Sequence, residues 1–120
     1  EALESVGLSG QSHLLVHEMS GGMQKRLGIA RALLFSPRVL LYDEPSAGLD
    51  PITSRSINDL IIQVRDQFKM SVVLVTSEMA QAKQLGTRIG LLEKGRFLEE
   101  GSWSSISRST NERVARFFSP

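Results

Sequence analysis

The sequence predicts an α/β fold, a mostly parallel sheet with flanking helices. Three observations predict it. Val39–Asp43 (Val-Leu-Leu-Tyr-Asp) and residues 71–76 (Ser-Val-Val-Leu-Val-Thr) are short apolar runs, the pattern of strands buried on both faces of a parallel sheet. Between them, Ile57, Leu60, Ile61, Val64 and Phe68 recur at helical spacing and mark one buried face. The order helix–strand–helix–strand–helix follows the βαβ pattern of parallel sheets.

Each element has local reasons. Residues 1–8 read as the tail of an amphipathic helix, with Ala2, Leu3 and Val6 on one face and Gly7 at its end. Residues 9–18 are polar and irregular. Ser20 can cap a helix over about 21–35, with Leu27, Ala30, Leu33 and Leu34 on the apolar face and Ser36-Pro37 as its stop. Asp50-Pro51 combines a capping acid with Pro at the first helical position, so the next helix starts there and runs to about Lys69. A short helix is predicted over about 78–85. Residues 88–92 and 96–99 form a hairpin around Lys94-Gly95. One helix begins after Gly101-Ser102, and another starts near Asn111 and ends at Pro120. Phe117 and Phe118 are expected to pack that last helix.

Composition narrows the function. The 120 residues carry 14 Lys and Arg against 13 Asp and Glu, a net charge of +1, so no global field favours nucleic acid or an anionic membrane. With no cysteine there are no disulfides or thiolate metal sites. No apolar run approaches the ~20 residues that span a bilayer. Glu1 opens the chain inside a helix, and two central strands lack sheet neighbours. Both features suggest a fragment whose N-terminal half lies elsewhere.

Two motifs carry chemistry. In Met19-Ser20-Gly21-Gly22-Met23-Gln24 the glycines let a phosphate approach the backbone, and a helix N-terminus directs free N–H groups at it. By itself Ser-Gly-Gly is equally a plain helix cap. The strand Val39–Asp43 ends in adjacent carboxylates, Asp43 and Glu44, at the edge where α/β sheets bind ligands. One carboxylate there can hold Mg²⁺ and its neighbour can orient or deprotonate a water. No G-x-x-x-x-G-K-[ST] phosphate loop occurs in the sequence. His13 and His17, without cysteine or a set of carboxylate partners, read as exposed or capping residues. Lys25 and Arg26 could meet phosphate or simply lie on the solvated helix face. Tyr42 reads as core, with a hydroxyl that needs a partner if buried. Trp103, at a loop-to-helix position, has no link to a nucleotide base.

Together the two motifs closely resemble the nucleotide-binding domain of ATP-binding cassette (ABC) transporters, from Glu1 to about Ser105. Met19–Met23 resemble the signature motif, usually Leu-Ser-Gly-Gly-Gln, with Met at the first and last places. Val39–Glu44 resemble the Walker B strand, and Ser46–Asp50 the D-loop. Arg88–Gly101 resemble the strand pair that ends this region. The variant Ser-Gly-Gly-Met-Gln-Lys-Arg is similar to importer-type cassettes, including the Mla/Mce-associated lipid-transport ATPases.

The resemblance implies the C-terminal half of a P-loop NTPase (RecA-like) ABC domain. Residues 1–36 would end a helical subdomain carrying the signature. Residues 37–105 would hold the Walker B, D-loop and switch-loop region, and 106–120 a C-terminal helix. In such families two cassettes pair head to tail around two ATP molecules. Ser20, Gly21, Gly22 and Met23 would then contact the ATP of the partner cassette. Asp43 would serve Mg²⁺, Glu44 would polarise the attacking water, and Asp50 would lie at the dimer interface. The implied partners are a second cassette and a transmembrane permease, with no nucleic acid. The implied location is peripheral, on the cytoplasmic face of the inner membrane.

Two departures stand out. Such families place His after the second strand, in Thr-His-Asp, where this chain reads Thr76-Ser77-Glu78. Ser77 is shorter and never cationic. A weakened ATPase follows, or alternatively a regulatory cassette that binds ATP and dimerises but hydrolyses poorly. Thr87 replaces a common acid and reads as a surface detail. A nucleic-acid or ribosome-directed cassette is disfavoured by the charge balance and by Ala47-Gly48-Leu49-Asp50, where ribosome-directed relatives carry Asn-His-Leu-Asp. Without a phosphate loop the fragment alone is expected to be inactive.

Overall fold

The computed structural model describes residues 1–118. Two compact units divide the chain, Glu1–Val75 and Thr76 onward.

The first unit contains helix α1 (Ala2–Ser5), helix α2 (Gly21–Leu33), strand β1 (Val39–Asp43), helix α3 (Pro51–Phe68) and strand β2 (Ser71–Val75). A single 3-10 turn, Val16–Glu18, interrupts the segment expected to be irregular. Its start is closed by the Leu15 N–H, which donates to the Glu18 carboxylate at 2.8 Å. Strands β1 and β2 pair in parallel, Val39 opposite Ser71 and Asp43 opposite Val75. Helix α3 is the crossover between them.

Helix α3 starts where the sequence places it. The Asp50 carboxylate accepts the backbone N–H groups of Ile52 and Thr53, each at 3.0 Å, and Pro51 occupies the first turn. Ile57, Leu60, Ile61 and Val64 are buried along one face. The helix ends at Lys69, whose left-handed φ of 51° lets the Met70 N–H return to the Arg65 carbonyl at 3.1 Å. Phe68, the last helical residue before that reversal, is 42% exposed rather than core, since no element covers this end of the stripe among the described residues.

Two further expectations need correcting. On α2 the buried residues are Ile29, Ala30 and Leu33, whereas Leu34 is 70% exposed. Leu34, the C-cap, keeps helical backbone, so its exposure reflects the lack of a covering element among the described residues. The strands are not covered on both faces among the described residues. Burial alternates along β1, with Leu40 buried and Leu41 77% exposed. On β2, Val73 and Val75 are exposed.

The second unit holds helix α4 (Met79–Leu85), strands β3 (Ile89–Glu93) and β4 (Arg96–Gly101), and helices α5 (Trp103–Ile106) and α6 (Glu112–Ala115). The hairpin turns at Lys94 and Gly95, both with positive φ. That conformation matches the twist of a two-residue hairpin loop. A bulge follows, because Leu91 faces Glu99 while Leu92 faces Phe97. Leu91, Ile106 and Val114 form the small core, with Ile89, Leu98 and Phe118 packed on it. Phe118 therefore packs as expected, whereas Phe117 is exposed. Ser102 and Asn111 cap the two short helices. Trp103 meets Phe118 edge to face at 5.2 Å, and the Lys83 ammonium lies 5.6 Å from the Trp103 ring centroid. The last helix, expected to run to Pro120, ends at Ala115, because the Phe117 and Phe118 N–H groups turn to the Val114 and Ala115 carbonyls three residues back instead of continuing the helical ladder. Pro120 itself lies outside the described residues.

The Asp50 cap predicts a pH dependence. Hydrogen bonds from the Thr53 hydroxyl and then the Thr53 N–H hold the Asp50 carboxyl below its ordinary value of 3.8. A folded-state pKa below the unfolded one adds stability that is present above the unfolded value and lost as pH falls through the folded value. Thermal midpoints of the native protein should therefore drop on acidification below about pH 4. Asp50→Asn, which keeps a capping oxygen, should flatten that part of the curve. An identical acid limb in both proteins would rule out the cap as a source of the dependence.

Candidate functional site

The signature lies at the start of α2. Ser20 caps it, its hydroxyl oxygen accepting the Met23 N–H at 3.2 Å. The N–H groups of Gly21 and Gly22 occupy the first turn, where the helix itself offers no acceptor. An anion at that turn would also meet the positive end of the helix dipole. Met19 is buried and anchors the segment. The Gln24 side-chain amide donates to the carbonyls of Val16 and Met19, each at 3.1 Å, and ties α2 to the preceding turn.

The glycines are also pressed against the D-loop region. A methyl group on Gly21 would lie 3.2 Å from Leu49 Cδ2, and one on Gly22 would lie 2.8 Å from Thr53 Cγ2. Sequence reasoning treats these glycines as openings for phosphate. The structure shows that part of the space is taken by the chain itself. One turn along, Arg26 reaches the Val6 carbonyl at 2.8 Å and the Ser56 hydroxyl at 2.7 Å. Arg26 is therefore a tie between α1, α2 and α3, a role its place in a basic pair does not reveal. Lys25 is partly buried on the same helix.

Asp43 and Glu44 stand at the C-terminal end of β1. The Glu44 N–H donates to the Val75 carbonyl at 2.9 Å, which carries the β1–β2 register one residue beyond the strand. Glu44 then takes a left-handed φ of 45°. The other described non-glycine residues with positive φ, Ser36, Lys69 and Lys94, follow helix ends or make the hairpin turn. Glu44 does neither. Left-handed backbone in a non-glycine residue is costly and clusters at functional sites. Pro45 and Ser46 behind it are buried. Asp43 is exposed, and no group of three potential ligands converges among the described residues. If Mg²⁺ were held here, Asp43 would supply one carboxylate and water and phosphate oxygens would have to complete the shell.

Asp50 is exposed, yet its carboxylate already accepts from Ile52, Thr53 and the Thr53 hydroxyl. Ser77 is exposed at the start of the second unit. Beside it the Thr76 hydroxyl accepts the Glu78 N–H at 3.0 Å. His13 and His17 are exposed as expected. The Tyr42 hydroxyl is buried without a hydrogen-bond partner among the described residues, and burial pushes it up to about 12. Tyr42→Phe should therefore raise stability by about 1 kcal/mol, since it removes an unpaired buried polar group. A comparable loss in chemical denaturation would reveal a partner for that hydroxyl.

Residues 1–47 match the sequence profile of the ABC transporter family. The methionine import ATP-binding protein MetN 2 of Staphylococcus epidermidis is 38% identical over 118 residues, which cover 98% of this chain and 35% of that protein. MetN 1 of Paraburkholderia xenovorans is 40% identical over 114 residues, 95% of this chain and 33% of that protein. The chain thus spans about a third of the length of the curated relatives it matches. These relatives are methionine import proteins, so the similarity to lipid-transport cassettes is not borne out. The ADP conformation of MJ1267, an ATP-binding cassette of an ABC transporter, superposes with a TM-score of 0.84. It shares 21% identity, and the match covers 98% of this chain and 46% of that one. At that identity the likeness speaks for the fold, which is that of an ABC ATPase cassette. Profile, relatives and fold agree in pointing to the ABC transporter ATP-binding family, with the profile match on residues 1–47.

Proposed function

We propose that this chain supplies the signature, Walker B and D-loop part of an ATP-hydrolysing ABC transporter subunit. The observation that carries the reading is the left-handed Glu44, held by Val75 directly after Asp43. Asp43 is the residue for Mg²⁺ and Glu44 the one that orients and deprotonates water. Ser20, Gly21, Gly22 and Met23 are the contact to ATP held by a second cassette, and Asp50 lies at that interface. Bound MgATP supplies the phosphoryl group and offsets the charge that develops during its transfer. Residues 1–36 end the helical subdomain, 37–105 carry the core motifs, and 106–120 form a C-terminal element.

The partners in this reading are a second cassette and a transmembrane permease, with no nucleic acid. The subunit then sits peripherally on the cytoplasmic face of the inner membrane. No described helix is long and apolar enough to cross a membrane. The methionine import relatives favour an importer, and methionine or a related amino acid is the first substrate to test.

The reading predicts a division of activity. The 120-residue chain alone, without a phosphate loop, should not hydrolyse ATP. In a full-length protein carrying this chain, Glu44→Gln should lower turnover by about a hundredfold or more. ATP hydrolysis by the 120-residue chain that depends on Glu44, or full activity of the variant in the longer protein, would overturn it.

Ser77 favours a second reading, a regulatory cassette that binds ATP and dimerises but turns over slowly. Ser77→His in the full-length protein should raise steady-state hydrolysis by about tenfold if the missing imidazole limits the rate. Unchanged hydrolysis would show that position 77 does not limit turnover.

A further inference from the structure

We propose that Thr53 is a positioning residue that fixes the start of the signature helix against the D-loop. The inference rests on the reading of Ser20–Gly22 and Asp50 as interface elements.

The Thr53 side chain is engaged at both ends. The Thr53 hydroxyl donates to Asp50 Oδ2, and its N–H donates to Asp50 Oδ1. These bonds pin the Thr53 χ1, which is already restricted because Thr is β-branched. The methyl group is then fixed too. It lies where a Gly22 side chain would be, 2.8 Å from an ideal Cβ there. Real Cβ contacts are almost never that short, so one partner would have to move. Thr53 cannot rotate away without releasing Asp50. The backbone of Gly22 would have to shift instead, and with it the N–H groups of the first turn of α2.

Neighbouring contacts extend the lock. Leu49 packs 3.2 Å from the Cβ position of Gly21. Arg26, one turn after Gly22, bonds to Ser56, one turn after Thr53. Two successive turns of α2 therefore meet two successive turns of α3. In this arrangement Gly22 has a reason to lack a side chain that is independent of any nucleotide. A phosphate needs the backbone open, while Thr53 needs the Cβ position empty.

The two reasons separate experimentally. Thr53→Ser keeps the hydroxyl and removes the methyl, so it makes room for a methyl on residue 22. Gly22→Ala, Thr53→Ser and the double variant are compared in a full-length protein carrying this chain. The readouts are thermal midpoint without nucleotide and steady-state kcat and KM for ATP. The inference expects Gly22→Ala to lower both the midpoint and kcat, kcat by about tenfold. In the Thr53→Ser background the same change should cost less than about twofold and leave the midpoint unmoved. Equal losses in both backgrounds, in midpoint and kcat, would overturn it and leave phosphate approach as the reason for Gly22. A restored midpoint with unrestored kcat would also overturn it, because the contact would then be structural only. Absence of ATP turnover in the unmodified protein would overturn the functional reading itself, and the inference with it.

Discussion

The Asp50 carboxylate is the constraint on which the inner order of the first unit depends. It accepts the N–H groups of Ile52 and Thr53 and so determines the residue at which α3 begins. A helix start displaced by one residue would rotate the stripe Ile57, Leu60, Ile61 and Val64 by about 100° away from the core. Because α3 is also the crossover, its start and its left-handed end at Lys69 set where β2 meets β1. The parallel register in turn brings the Val75 carbonyl to the Glu44 N–H. Local capping, helix packing and the geometry of the strand-end acids are thus links in one chain of constraints.

The same constraint gives Asp50 a role that its motif does not convey. A D-loop acid suggests a group reaching across an interface. In this structure its carboxylate is engaged in holding its own helix, and an exposed surface remains for further contacts. The signature shows the same economy. Ser20 both caps α2 and presents a hydroxyl, while Gly21 and Gly22 satisfy packing against Leu49 and Thr53 as well as leaving N–H groups open. The elements proposed to meet a ligand are here also the elements that hold the unit together.

Much of the fold was legible because its signals are local. Asp50-Pro51, Ser20, Ser102 and Asn111 each cap a helix through bonds to residues two or three positions away. Lys94-Gly95 makes the hairpin turn for the same reason. Leu34, Phe68 and the outward faces of the strands are exposed against expectation because apolar character reports a preference for burial, not the presence of a covering element. Whether Leu41 or Val73 is covered depends on neighbours distant in sequence. Of the candidate site, the motif residues were legible as types in order. The roles of Arg26 and Thr53 were not, since their partners lie 20 to 31 residues away.

By itself the sequence determined the α/β class, the helix starts, the parallel strand pair and the family to which the motifs belong. Each rests on short-range hydrogen bonding or on a fixed run of residues. Only the tertiary structure decided that Glu44 adopts left-handed backbone, that Gly22 makes way for Thr53, and that the Tyr42 hydroxyl is buried without a partner among the described residues. The physical reason is that these properties belong to the space between elements. Backbone strain, excluded volume and desolvation depend on what is brought near, and the chain order does not state it.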